Sequence, residues 1–429
     1  MSRHRAQIVA VRLTLACAVF VTGDARALEA VTTFAGGPTV AGNADGPAAI
    51  ARFSDPVGLA VDASGNVLVA DAGNHCIRRV TPTGVVTTIA GTAGVRGSLD
   101  GPATAARFDT PSAIAVGLDG VIFISDTGNH TLRRLDRSGR VSTVAGMPGD
   151  SGSTNGVGSV ARFNAPLGLA VSAYGTVFVA DSGNHVVRQI AANGTVTVLA
   201  GLSESWGDQD GSATTARFNG PVGLALDSTG NLVVSDAFNH TLRRITSDGT
   251  VSTLAGKSGE AGIVDGPALH ARLGTPAELV FDARGNLYVT DAFYHTIRRL
   301  GKDGQMETVA GLAGIDGSTD GSYTAAKFFN PYGVAITPRG TLMVSDTYNS
   351  TLRELVAPFA LRVTLASSRG PAIRWESEPG QRYQVFTCTD WTLPWNPIGA
   401  PFTASGITSE WTDTLSAASP ERWYQIRIP

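Results

Sequence analysis

The chain has 429 residues, of which 51 are Gly and 16% are charged, with a formal net charge of −3. Gly stands well above its usual ~7% and charge well below its usual ~25%, the profile of an all-β protein whose many tight turns need positive φ. The acidic balance argues against a nucleic-acid partner, which wants a basic face, and 3 Cys do not make a disulfide framework.

Arg3, Arg5 and Arg12 precede an apolar run from Leu13 to Val21, and Ala25-Arg26-Ala27 forms an A-x-A cleavage site. Residues 1–27 therefore read as a signal peptide of a secreted or periplasmic protein. The competing reading is a retained short anchor, but the run falls well short of the ~20 residues of a bilayer span. No later segment is long or apolar enough to span. Cleavage removes four Arg and one Asp, which takes the formal charge from −3 to −6. Cys17 leaves with the signal, and Cys76 and Cys388 remain as small buried apolar residues.

From residue 28 to residue 357 one 55-residue unit repeats six times. It links Ala35-Gly36, Ala90-Gly91, Ala145-Gly146, Ala200-Gly201, Ala255-Gly256 and Ala310-Gly311, and equally Pro56, Pro111, Pro166, Pro221, Pro276 and Pro331. In the first unit four strand-like runs, 58–61, 66–70, 76–81 and 85–90, are separated by the turns Asp62-Ala63-Ser64-Gly65 and Pro82-Thr83-Gly84. Four short antiparallel strands per period make one blade of a β-propeller. A β-solenoid would need shorter coils and would lack these hairpin turns. The sixth unit stops after its third strand, and the missing strand stands at the start of the repeats as 31–36. The N-terminal strand is expected to close the last blade and remove open edges. Past Pro358 the period ends, and five strand-like runs over 358–429 predict a small β-sandwich.

The runs P-x-G-L-A-V-D at Pro56–Asp62 and V-x-V-A-D at Val67–Asp71, followed by Asn74-His75, Asn129-His130, Asn184-His185 and Asn239-His240, resemble the NHL repeat family. Blade five departs with Tyr294-His295 and blade six with Asn349-Ser350. The resemblance implies a six-bladed propeller. It leaves function open, because propellers host binding modules and several enzyme classes. The runs around Tyr383 and Tyr424 are similar to small C-terminal modules of secreted bacterial proteins.

His75, His130, His185, His240 and His295 recur at the repeat step. Zinc ligands must all come within ~2.1 Å of one ion, whereas packed sheets lie ~10 Å apart, so these His read as structural. The ring of Asp71, Asp126, Asp181, Asp236, Asp291 and Asp346, and the third-strand ring of Arg78 and its five copies, read likewise as blade cement. A second ring, Arg52, Arg107, Arg162, Arg217, Arg272 and Lys327, is expected to pair with Asp45, Asp100, Asp210, Asp265 and Asp320, with Asn155 breaking the set.

Function is sought where symmetry breaks. Glu278 is the only carboxylate at a position otherwise held by Gly58, Ala113, Gly168, Gly223 and Gly333, near the expected channel mouth. Propeller lactonases and lyases place metal-binding groups about there. The neighbouring position offers Ser112 and Tyr332 but no Asp, Asn or His. The second departure is aromatic: Gly73, Gly128 and Gly183 become Phe238, Phe293 and Tyr348 in blades four to six, joined by Tyr294, Trp206, Tyr323 and Phe329. Aromatic surfaces bind sugars, peptides and proteins through large contact area with polar tips; local packing is the competing reading. The leading expectation is a secreted, monomeric, non-catalytic binding or scaffold protein that takes a glycan or protein ligand without a cofactor. The alternative is a metal-dependent, lactonase-like hydrolase or lyase in which Glu278 holds a divalent ion.

Overall fold

The computed structural model describes residues 17–21, 30–355, 361–364, 372–376, 382–388, 396–405, 408–412 and 422–427. The expected cleavage site and the 356–360 linker lie outside them. Blade one carries the plan of the propeller. Pro56–Val61 is innermost, followed outward by Val67–Asp71, Cys76–Val80 and Val85–Ala90, each antiparallel to the last. Gly46–Pro47, from the segment leading into the blade, adds a short fifth strand outside Val85–Ala90. Blades two, three, five and six repeat this five-stranded sheet, and blade four keeps only a Gly211–Val251 bridge in its place. The fifth strand is two residues long, too short to leave an alternation in the sequence.

The second strand, Val67–Asp71, is buried along its whole length because a neighbouring blade covers each face. The first strand alternates between the two gaps. Leu59 packs with Ala335 and Met343 of blade six, while Ala60 packs with Ile114 and Ile124 of blade two. Near the axis the first strands crowd together. A Cβ on Gly58 would lie 2.4 Å from the Ser112 carbonyl oxygen, and one on Gly168 2.1 Å from that of Val222. Gly is required there by the close approach of two backbones.

Closure follows the expected route. In the last sheet the order is Gly321–Ser322, Ala30–Gly36, Thr351–Leu355, Leu342–Asp346, Pro331–Ile336. The N-terminal strand fills the fourth place, and Thr33 donates from its N–H and Oγ1 to Asp320, both at 3.0 Å. No helix among the described residues is long and apolar enough to cross a membrane.

A second unit contains two small sheets. One is Leu361–Thr364, Ala372–Glu376 and Thr408–Thr412; the other is Cys17–Val21, Arg422–Arg427, Arg382–Cys388 and Asn396–Thr403. Two of these strands were not expected. Asn396–Thr403 contains Pro397, Gly399 and Pro401, which mask a strand in sequence. Cys17–Val21, the centre of the expected signal, pairs in parallel with 422–426.

Candidate functional site

The repeated charges form one buried cluster per blade. Arg78 is fully buried. Its Nη1 donates to Asp71 Oδ2 at 2.7 Å and to the Arg52 carbonyl at 2.9 Å. Its Nη2 donates to Asp45 Oδ1 at 2.7 Å and to the Ala44 carbonyl at 2.9 Å. The Phe53 ring lies 5.3 Å from the guanidinium carbon. Asp71 also accepts from Asn74 Nδ2 and from the Ser54 N–H, both at 2.8 Å. Burial pushes the Asp71 carboxyl up to about 6 against the pull of Arg78, which leaves it ionised at neutral pH.

This geometry corrects the expected partners of the second ring. Asp45, Asp100, Asp210, Asp265 and Asp320 serve the third-strand Arg, not Arg52 and its copies. Asn155 takes the same place and accepts from Arg188 Nη2 at 2.8 Å. The Arg52 side chain instead folds back on its own turn and donates to the Ala49 and Ala51 carbonyls. Where a segment carboxylate lies within reach, the ring adds it: Asp150 for Arg162 and Glu260 for Arg272.

The His ring links blades. His75, His130, His185, His240 and His295 each hold a positive φ at the end of a short turn. The Nδ1 of His75 accepts from the Thr110 N–H at 3.0 Å, and His130, His185 and His295 accept likewise from Ala165, Gly220 and Asn330 in the next blade. Nδ1 must be unprotonated to accept, which places the proton on Nε2. Burial holds His75 and His185 below the usual imidazole range. His240 instead contacts the Gly274 carbonyl. Among the described residues no group of three or more His, Cys, Asp and Glu side chains is placed to share a metal ion.

Blade five breaks the cluster. Tyr294 replaces the Asn, and the Asp291–Arg298 distance opens to 3.8 Å. Asp291 accepts instead from the N–H groups of Gly274, Thr275 and Tyr294. The same blade carries Glu278, which is 8% exposed. Its N–H donates to Thr290 Oγ1 at 3.1 Å, and its carboxyl has no hydrogen bond or ion pair among the described residues. With nothing to offset burial, the carboxyl is pushed up to about 8. Tyr332 lies close enough for that charge to raise its phenol further, and it packs beside Val222, Ala277 and Ala292. The side chains packed around Tyr332 beside Glu278 are therefore largely apolar.

The aromatic departures separate into exposed and packed rings. Phe238, Phe293 and Tyr348 are 63%, 62% and 54% exposed. Trp206 is exposed too, and its neighbour Gly207 accepts from Asn239 Nδ2 at 2.6 Å, which ties its segment to the loop of Phe238. Tyr294 turns inward over Gly274 and meets the Phe293 ring edge-on at 5.0 Å. Phe329 is wedged between His295 and Tyr348. Tyr323 lies at the outer crossover, where its carbonyl accepts from the Gly311 N–H, and Tyr332 packs in the apolar cluster of Val222, Ala277 and Ala292. The expected cluster thus reduces to a spaced half-ring.

Reading along the chain missed a set of hydroxyls. Ser235 Oγ accepts from the Gly223 N–H at 2.6 Å and donates to the Ala277 carbonyl of the next blade. Thr290 and Ser345 bridge blades five to six and six to one in the same way. The signal was present, since Ala70 and Ala180 hold this position in blades one and three.

The NHL repeat profile matches residues 53–80 and 218–245, and the Teneurin NHL domain profile matches 95–191. NHL repeat-containing protein 2 of Homo sapiens is 27% identical over 322 residues, covering 67% of this chain and 44% of that protein. Its Gallus gallus counterpart is 30% identical over 343 residues, 70% of this chain and 46% of that protein. The chain spans under half the length of these curated relatives. An auxiliary nutrient binding protein from Bacteroides thetaiotaomicron has the same fold, with a TM-score of 0.60 at 18% identity over 76% of each chain. The repeats, their buried Arg–Asp clusters and these matches agree: the chain carries NHL repeats folded as a six-bladed β-propeller.

Proposed function

We propose that this protein is a secreted binding or scaffold module whose propeller presents Phe238, Phe293 and Tyr348 to a glycan or protein ligand. One observation carries the reading. A single repeat position holds large exposed rings in three successive blades and Gly in the other three. In blades one to three that position has no room: a Cβ on Gly73 would lie 2.4 Å from Ser54 Oγ, and one on Gly183 2.6 Å from the Asn164 side chain. In blade four Gly220 lies under the Phe238 ring, and in blade six the Phe329 ring meets Tyr348 edge-on at 5.1 Å. Rings left 54–63% exposed bury little area in the fold, so packing alone is a poor reason for them. On a partner they offer wide, stiff contact surfaces.

The test is an array of neutral and acidic oligosaccharides and of secreted proteins, probed with the full-length protein. A hit is expected to weaken at least tenfold in Phe238→Gly and in Tyr348→Gly, which install the residue of the sister blades. Undiminished binding by folded variants would refute the half-ring. The lactonase-like alternative finds support only in Glu278. It requires stoichiometric divalent metal in the purified protein that disappears in Glu278→Ala.

A further inference from the structure

A cavity of about 350 Å³ opens between blades two and three, at the inner hairpins 117–120 and 172–175 and the outer turn 191–194. This is the opposite end of the strands from the Phe238 loops. Small-ligand sites begin at about this size. Its apolar wall includes Phe123, Val144, Val171 and Ile190, and Asp119 and Arg134 supply its charged groups. Three departures from the repeat meet here. Blades one, four and five start this hairpin with a carboxylate, as when Asp62 accepts from the Ser64 and Asn66 N–H groups, but blades two and three have Gly117 and Ser172. Leu118 and Tyr174 at the two tips are 85% and 93% exposed. Phe123 is half-buried, whereas Leu68, Val233 and Met343 at its repeat position are each 1% exposed.

Asp119 is placed by its hairpin. Its Oδ1 accepts from the Val121 N–H at 3.1 Å and lies where a Cβ on Gly117 would be 2.6 Å away. Its second oxygen has no partner among the described residues. Arg134 spends Nε on Ser142 Oγ at 3.0 Å, and its terminal nitrogens carry no hydrogen bond among the described residues. The site therefore offers one acceptor-only group and one donor-only group beside an apolar wall. Asp136 and Arg137 stand near them, so both signs balance. A carboxylate or phosphate ligand meets Asp119 and an amine meets Arg134. A zwitterion satisfies both but gives up the hydration of two full charges. A hydroxyl donates to one group and accepts from the other without carrying a charge.

We infer that this cavity between blades two and three binds a neutral saccharide, with its C–H face on Phe123 and Leu118 and its hydroxyls shared by Asp119 and Arg134. This is independent of the half-ring. The probe is saturation-transfer NMR with glucose, galactose, N-acetylglucosamine, maltose and cellobiose, alongside leucine, phenylalanine and inorganic phosphate. At least one sugar is expected to give a saturable signal at millimolar concentration. Its affinity is expected to fall about tenfold or more in Arg134→Gln, which matches Gln189 of blade three, and in Ala192→Trp, which plugs the cavity. It is expected to persist in the triple variant Phe238→Gly, Phe293→Gly, Tyr348→Gly. The inference is overturned if no sugar binds, if only the amino acids or phosphate bind, or if either cavity variant leaves sugar binding unchanged.

Discussion

Asp236 and Arg243 are each buried to within 1% exposure of the side chain and meet at 2.8 Å, while Asp210 on the same Arg keeps 47% of its side chain exposed. Removing a buried partner strands a charge, whereas an exposed partner is replaced by water. Asp236→Asn is therefore expected to cost about 3 kcal/mol in urea unfolding, and Asp210→Asn under about 1 kcal/mol. Equal costs would contradict the division of labour. Glu278 yields a pH test. The folded protein keeps that proton up to about pH 8, while the unfolded chain releases it near ~4.3. Between those values the folded state binds more protons, so stability falls as pH rises. Relative to Glu278→Gln, the parent is expected to lose about 1.4 kcal/mol per pH unit across that window and nothing further above it. Unfolding curves at pH 5, 6.5 and 8 that shift in parallel would exclude a buried, unpaired carboxyl. At this scale Phe238, Glu278 and the His ring stood out in the sequence because each occupies or breaks a fixed register. The partner of Arg52 did not, since spacing says which residues recur but not which way a long side chain turns.

Between elements, hydroxyls and ring nitrogens do what repeated spacing cannot express. Ser345 Oγ donates to the Val57 carbonyl at 2.5 Å and Thr347 Oγ1 to the Pro56 carbonyl at 2.7 Å, across the joint where the ring closes. The Ser345→Ala, Thr347→Ala double variant installs residues that blade one carries as Ala70 and Ala72. A loss of about 2 kcal/mol is expected, one per hydrogen bond, and a neutral result in thermal or urea unfolding would remove these contacts from the account of closure. The four main strands of each blade were legible because each carries apolar residues bounded by Gly turns. The two-residue fifth strand and Asn396–Thr403 were not, one for brevity and the other for its Pro and Gly.

As a whole molecule, the propeller is a six-fold frame with a two-fold division of surface. Buried Arg–Asp clusters, His links and Gly at the axis recur around the ring and belong to the frame. The exposed rings Phe238, Phe293 and Tyr348, which follow the second strand, belong to blades four to six, and the open cavity lies between blades two and three at the other end of the strands. The frame could be read from the 55-residue step; the cavity could not, because spacing in sequence does not say how closely the hairpins of two blades pack. The central claim is that the exposed rings serve a ligand and not the fold. Its most direct measurement compares the full-length protein with its triple variant Phe238→Gly, Phe293→Gly, Tyr348→Gly, for both melting temperature and affinity toward the ligand found on the array. An unchanged melting temperature with binding lost is the expected result. A lowered melting temperature with binding retained would contradict it.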